Sequence, residues 1–511
     1  MSNDYDDALK TIAKGAGIAF FGITLNRFLA FLSKVVVARF LTPSEYGVLN
    51  LGLAIFSIFI IISLVGIPEG IVRYIPYYTG RKEYGKVKGV IHSSIKISLP
   101  LSFIFSGLMF YLSHDISKIF HNAELSYVLE IFSLAIPFWI LTRIYMAANV
   151  GFKRVEYSIM TETLHQLIRF VMVISFLLAG FGLVGASFGY LLAFLVSPLI
   201  GYYFFSKLFL LIKECDIKPV GKEVFSYSWP LLLAGFSSLI LSWTDTLMLG
   251  YFKNEYYVGI YNAAYPIAQL LTIFGVSFSS IFLPVITEFY SAGSFDNLKR
   301  TYTAVTKWVF GLTFPTFLIL VFFGKWVIKI LFGIKYVSGY SALSVLALGF
   351  FTSSVLALSS GVIKSLGKTK FIMINSYFIA ALNVALNTYL IPTYGVTGAA
   401  IATAISAITS SIICFAYSCR LVRAMPISSK CLRSIPAAVT ALVIVYALAK
   451  IVLQLGLLTL IPNLIFYFII YFSLLLVFRY FDYEDVIIMK AIESKIGLRL
   501  GFFKRIITRF L

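Results

Sequence analysis

A few polar and ionisable side chains stand where they are costly to keep. Arg27 lies near the middle of the first long apolar run, and Lys34 follows seven residues later. That spacing puts the two cations about 20° apart on one helical face. In a later apolar run Glu162, His165, Gln166 and Arg169 fall at i, i+3, i+4 and i+7, a single polar stripe. A charge in the middle of a bilayer costs about 3 kcal/mol or more, so such faces are expected to point to a cavity or a partner. Guanidinium forks match phosphate oxygens, so Arg27, Lys34 and Arg169, with His165 and Gln166 beside them, would suit an anion. The competing reading is a buried network in which Glu162 pairs with Arg169 or Arg27.

Asp245 is the other carboxylate inside an apolar run, and it shares a face with Ser238 and Ser242. Glu162 and Asp245 are the two places where a proton or a sodium ion could be read, because a carboxylate must change protonation or ligate the cation. Asp245 is close to a span end, so capping is an equal alternative. Tyr261, Asn262, Tyr265 and Gln269 line one later run. Rings and amides there could stack on and hydrogen-bond sugars, or could pack helix on helix with their polar tips satisfied.

These residues need helices to hold them. The chain has 511 residues, 60% apolar and only 13% charged. A soluble chain carries about 25% charged residues, so soluble enzymes are excluded and an all-α polytopic membrane protein is expected. Fourteen runs are long enough to cross hydrocarbon: 15–40, 46–67, 90–112, 125–148, 156–179, 183–206, 224–250, 256–286, 303–323, 339–362, 371–391, 397–418, 433–455 and 461–479. With the N-terminus inside, 30 of the 42 Lys and Arg fall on inner segments and 6 on outer ones, the other 6 lying in or at the ends of spans. That bias places both termini in the cytoplasm and accounts for the net charge of +20 without nucleic acid. The acidic N-terminal residues Asp4, Asp6 and Asp7 do not fit a cleavable signal.

The sequence repeats itself. Phe40, Gly47, Val48 and Asn50 match Phe252, Gly259, Ile260 and Asn262 at an offset of 212. Phe181 to Ala186 matches Tyr394 to Ala399 at 213, and Gly151 matches Gly367 at 216. Two parallel six-helix lobes, 1–215 and 216–425, are expected, followed by two additional spans in 426–480 and a basic amphipathic tail, 481–511. The basic segment Arg73 to Lys88 and that tail are studded with Ile, Leu, Phe and Tyr, a composition that suits the inner leaflet or a protein partner.

The 6+6+2 arrangement, the stretch Val37 to Gly47 (Val-Ala-Arg-Phe-Leu-Thr-Pro-Ser-Glu-Tyr-Gly) and the element Tyr394 to Ala400 together resemble the polysaccharide-transport branch of the multidrug/oligosaccharidyl-lipid/polysaccharide flippase superfamily. The resemblance implies two V-shaped lobes, a plasma-membrane location and alternating-access export of a lipid-linked oligosaccharide, whose phosphate or diphosphate would supply the anion. Glycosyltransferases or a polymerase of the same pathway would be its partners. Cation-exporting multidrug and toxin antiporters and a lipid II flippase are the rival members. Arg27 and Lys34 in the first span disfavour cation export.

The chain has no Walker loop, nucleophile elbow or HExxH, and its four cysteines form no CxxC pair. No enzyme, cofactor or metal site is expected, only possible coupling to H+ or Na+.

Overall fold

The structure, a computed structural model, describes residues 22, 24–209, 216–423, 425–426, 428–451, 457–482 and 485. Among them the regular elements are all helical. Helix α1 covers 24–40. It is followed by α2 (Pro43–Leu64), α3 (Ile67–Gly80), α4 (Tyr84–Ile119), α5 (Glu124–Gly151), α6 (Val155–Leu178), α7 (Gly182–Phe209), α8 (Gly221–Phe252) and α9 (Glu255–Gln269). Then come α10 (Thr272–Ser291), α11 (Phe295–Phe322), α12 (Gly324–Leu331), α13 (Tyr340–Val355), α14 (Ala357–Ser365), α15 (Thr369–Val422), α16 (Ser429–Ile451) and α17 (Leu457–Val477). Nine helices among the described residues are long and apolar enough to cross a membrane, and a tenth span results if Thr272–Ser279 and Phe282–Ser291, bent by 40°, are one. The start of the first span and almost all of the tail 481–511 lie outside the described residues.

The motif that opens α2 is a helix start. Thr42 is the N-cap and Pro43 occupies the first turn, where its missing N–H costs nothing. Glu45 Oε2 accepts hydrogen bonds from Thr42 N and Thr42 Oγ1, both at 2.8 Å, while Glu45 N donates to Thr42 Oγ1 at 3.3 Å. This reciprocal capping box fixes the entry into the helix.

By compactness the chain divides between Asn262 and Ala263. In the first unit α8 packs on α2, α3 and α4, and α5 on α2, α3, α4 and α7. The first unit also shows why Gly47 and Gly259 match in the sequence. A Cβ on Gly47 would stand 1.8 Å from Glu255 O, and one on Gly259 would stand 1.9 Å from Pro43 O. Glu255 is Pro43 displaced by 212, as Gly259 is Gly47. The two helix starts therefore cross backbone to backbone, and the contact is unchanged when they are exchanged.

Backbone conformation extends the repeat along the chain. Left-handed residues occur at Lys82 and Gly293, His121 and Gly333, Lys153 and Gly367, and Gly182 and Gly395, pairs separated by 211, 212, 214 and 213 residues. Gly182 and Gly395 have φ of 53° and 55°. Gly395 breaks α15 into two helices, as the sequence spans 371–391 and 397–418 require. One sequence match needs correcting: the turn residue equivalent to Gly367 is Lys153. Gly151 still belongs to α5, where a Cβ would press on Ile75 of α3.

In the second unit α13 packs on α11 and α15, α10 on α14, and α16 on α11 and α17. Pro315 interrupts α11 and cannot donate to Gly311 O, four residues earlier. Tyr471 of α17 fills that place, its hydroxyl donating to Gly311 O at 2.6 Å. Tyr467 OH reaches Pro315 O at 3.4 Å, and Tyr480 OH donates to Lys307 O at 2.6 Å. Three tyrosines thus bond to three carbonyls spaced four residues apart on α11.

Candidate functional site

The polar stripe of α6 lies against α1. Thr163 Oγ1 donates to Asn26 Oδ1 at 2.7 Å, and a Cβ on Gly22 would meet Ile159 Cγ2 at 2.2 Å. Both contacts have the same 137-residue separation, so α1 and α6 run parallel in one register. That register sets Arg27, which is exposed, beside Thr163 and Leu164.

Within the stripe, Gln166 Nε2 donates to Glu162 Oε1 at 2.9 Å, and Arg169 donates to Gln166 Oε1. The amide thus sits between the carboxylate and the guanidinium, and no ion pair joins Glu162, Arg169, Arg27 or Lys34 to an opposite charge among the described residues. Arg169 also stands over the ring of Tyr190 on α7, 5.1 Å from its centroid. Its Nε is buried and has no hydrogen-bond partner among the described residues. Lys34 is half-buried and lies within electrostatic reach of Arg169. Two like charges within reach of each other repel, and an anion between them would relieve that repulsion.

His165 belongs to another environment. At about 100° per residue it falls on the edge of the stripe, about 100° from Gln166. It is 2% exposed, with Trp139 and Phe194 rings at 4.8 and 5.2 Å. Ser197 Oγ lies 2.6 Å from both His165 Nδ1 and Ala193 O. The structure thus seats His165 among rings of α5 and α7, about 100° round the helix from Gln166 and within electrostatic reach of Arg169.

The other candidates divide similarly. Asp245 is 5% exposed and accepts a hydrogen bond from Tyr261 OH, which joins α8 to α9. Asn262 Nδ2 donates to Thr246 Oγ1 and Val258 O, both at 3.0 Å. Tyr261 and Asn262 are therefore engaged in the α8–α9 hairpin. Tyr265, in the second unit, is half-buried with its ring edge-on to Phe350 at 5.4 Å, and Gln269 is exposed at the end of α9.

The polysaccharide biosynthesis protein family matches residues 12–290. The chain belongs to that family. The MatE family matches 230–390. Among relatives, the family member here is 26% identical over 393 residues to the uncharacterised membrane protein MJ1068 of Methanocaldococcus jannaschii, covering 73% of this chain and 77% of that one. It is 27% identical over 291 residues to a protein of Haloferax volcanii named "Probable flippase AglR", covering 56% and 58%. Among solved structures, one titled "Lipid II flippase MurJ, inward closed conformation" superposes with a TM-score of 0.71 at 17% identity, over 92% of this chain and 100% of that chain. This family member therefore shares the fold of that structure, a multi-pass bundle of apolar helices.

Tyr190, Asn26 and Thr163 were not anticipated from the sequence, because a single tyrosine or threonine in an apolar run has no periodic signal. Lys307 lies near the start of α11. It is 4% exposed and makes bonds of 2.9 Å to Asp482 and 2.7 Å to Asp485, from 175 residues away or more. No spacing in the sequence announces such a contact.

Proposed function

We propose that this protein moves a polyprenyl-phosphate- or diphosphate-linked oligosaccharide from the inner to the outer leaflet by alternating access, for cell-surface polysaccharide or glycan synthesis. The supporting observation is Arg169, held by Gln166 and set over Tyr190, with one buried N–H unspent, no carboxylate paired to it among the described residues, and Lys34 within electrostatic reach. A phosphate offers the oxygens those donors lack, and a fork-shaped guanidinium can take two of them. Gln166 holds Arg169 at its other edge and so orients it. Arg27, exposed one residue beyond the Asn26–Thr163 bond, would meet the anion first.

In this reading the protein sits in the plasma membrane with both termini cytoplasmic, its repeats 1–215 and 216–425 act as the two lobes, and it catalyses no covalent chemistry. Enzymes that assemble or polymerise the same glycan would be its neighbours. Membership of the polysaccharide biosynthesis family, and a flippase-named relative, favour this cargo over a cationic drug. The test is reconstitution into vesicles with a polyprenyl-diphosphate-linked sugar. Wild type should expose the sugar to an external lectin; Arg169→Ala and Lys34→Ala, if folded, should not. Normal translocation by both would remove the anion site.

A further inference from the structure

Five cations at one end of the first unit are mounted on aromatic rings. The Arg73 guanidinium carbon lies 4.1 Å from the centroid of Tyr227 and 5.7 Å from that of Tyr74. Arg81 is 4.3 Å over Tyr77 and Lys86 is 5.2 Å over Tyr78. Lys88 is 5.8 Å over Phe209, and Lys207 is 4.3 Å over Tyr203. The rings brace one another: Tyr74 stacks on Tyr78 at 5.7 Å and stands edge-on to Tyr227 at 5.8 Å. Tyr78 is buried and donates to Glu223, which ties α3 to the start of α8.

The four helix ends involved, from α3, α4, α7 and α8, lie on the side that the charge bias assigns to the cytoplasm. Orientation alone asks only for positive charge there and has no need of rings. A ring beneath a guanidinium does something different. It fixes the plane of the fork and leaves the edge N–H groups directed outward, the geometry that takes two phosphate oxygens. Arg73, Arg81 and Tyr77 are exposed, as an external ligand requires. The acids of the surface do not cancel it: Glu83 pairs with Lys86 at 2.8 Å and Glu223 holds Tyr78, while Glu69 and Asp216 stand against Arg73, Arg81, Lys82, Lys88, Lys207, Lys218 and Lys222.

We propose that this aromatic-mounted rim binds the phosphate of anionic phospholipids in the inner leaflet, with Arg73 and Arg81 as its ligands. The tyrosines supply the interfacial footing that amphipathic rings prefer at headgroup depth. The proposal is independent of the transported cargo.

The experiment is binding of phosphatidylglycerol or phosphatidylcholine to the purified full-length protein in detergent, measured by native mass spectrometry. Wild type should prefer phosphatidylglycerol. Each arginine near an anionic headgroup contributes about fivefold, so Arg73→Gln with Arg81→Gln should weaken that binding by about twenty-five-fold. Tyr227→Leu keeps every charge and removes the ring under Arg73, and it should also weaken binding. Lys118→Gln, at the opposite end of α4 from Lys86 and Lys88, should leave it unchanged, with thermal unfolding monitored for all variants. Equal binding of the two lipids would overturn the proposal, as would wild-type binding by the double variant. Unchanged binding by Tyr227→Leu would reduce the rim to plain charge and overturn the role of the rings. Displacement of the phospholipid by stoichiometric polyprenyl diphosphate would reassign the site to the cargo.

Discussion

At Arg169 three neighbours divide the work. Tyr190 supports the guanidinium from below, Gln166 accepts one N–H, and Lys34 adds a second positive charge. If Lys34 and Arg169 act on one anion, as proposed, their removal is non-additive: Lys34→Ala and Arg169→Ala together should cost little more translocation than Arg169→Ala alone. A vesicle assay of both singles and the double checks this. Glu162 and Asp245 differ in a way the sequence did not reveal. Glu162 accepts an amide hydrogen, whereas Asp245 is buried and bonded to Tyr261. If either reads an ion, translocation by Glu162→Gln or Asp245→Asn should lose its response to an imposed proton or sodium gradient. A response kept by both variants would place coupling elsewhere. The stripe at 162, 165, 166 and 169 was legible from helical spacing alone. The departure of His165 from it was not, because the side that α5 and α7 occupy is decided by tertiary packing.

Helix α11 shows how an element depends on another distant in sequence. Pro315 leaves Gly311 O without its usual donor, and Tyr471 OH replaces the lost bond. Tyr471→Phe would leave a buried carbonyl unpaired, at a cost of about 1–3 kcal/mol. It should lower the thermal midpoint in detergent while Tyr467→Phe, which loses bonds of 3.4 Å, lowers it less. Prolines and tyrosines are visible in the sequence; the bond from Tyr471 to Gly311 O, across 160 residues, is not. The start of α2 is the opposite case. Leu41-Thr42-Pro43-Ser44-Glu45 is a purely local signal, and the capping box it encodes is present.

On the scale of the whole molecule, the short segment after α17 is stitched to the second unit by charge. Lys307 bonds Asp482 and Asp485, Trp308 Nε1 donates to Asp485 Oδ1 at 2.7 Å, and Lys430 reaches Asp482. Burial alone would raise the Asp482 carboxyl; the bonds from Lys430 and Lys307, with their charges, outweigh it and hold the group below its usual range. A depressed carboxylate stabilises the fold fully above its unfolded value, near 4, and that contribution is lost as pH falls through the lower folded value. Wild type should therefore keep this contribution from pH 8 down to about 5 and lose it in stronger acid. Asp482→Asn should be less stable at pH 7 and should show a smaller acid-induced drop, as measured by unfolding across that range.

The crossing of Gly47 and Gly259 has a further consequence. A contact that maps onto itself under exchange is the signature of an isologous interface, the kind that joins two copies in a symmetric homodimer. This one persists inside a single polypeptide. Each glycine excludes a side chain on behalf of the other's backbone, so Gly47→Ala and Gly259→Ala should be disruptive to a similar degree, about 2 kcal/mol or more. In a chain descended from fusion of two equal halves, neither glycine could drift after the fusion, although the rest of the repeat was free to. Gly47 and Gly259, with Asn50 and Asn262 three residues on, keep the correspondence where most of the surrounding positions differ.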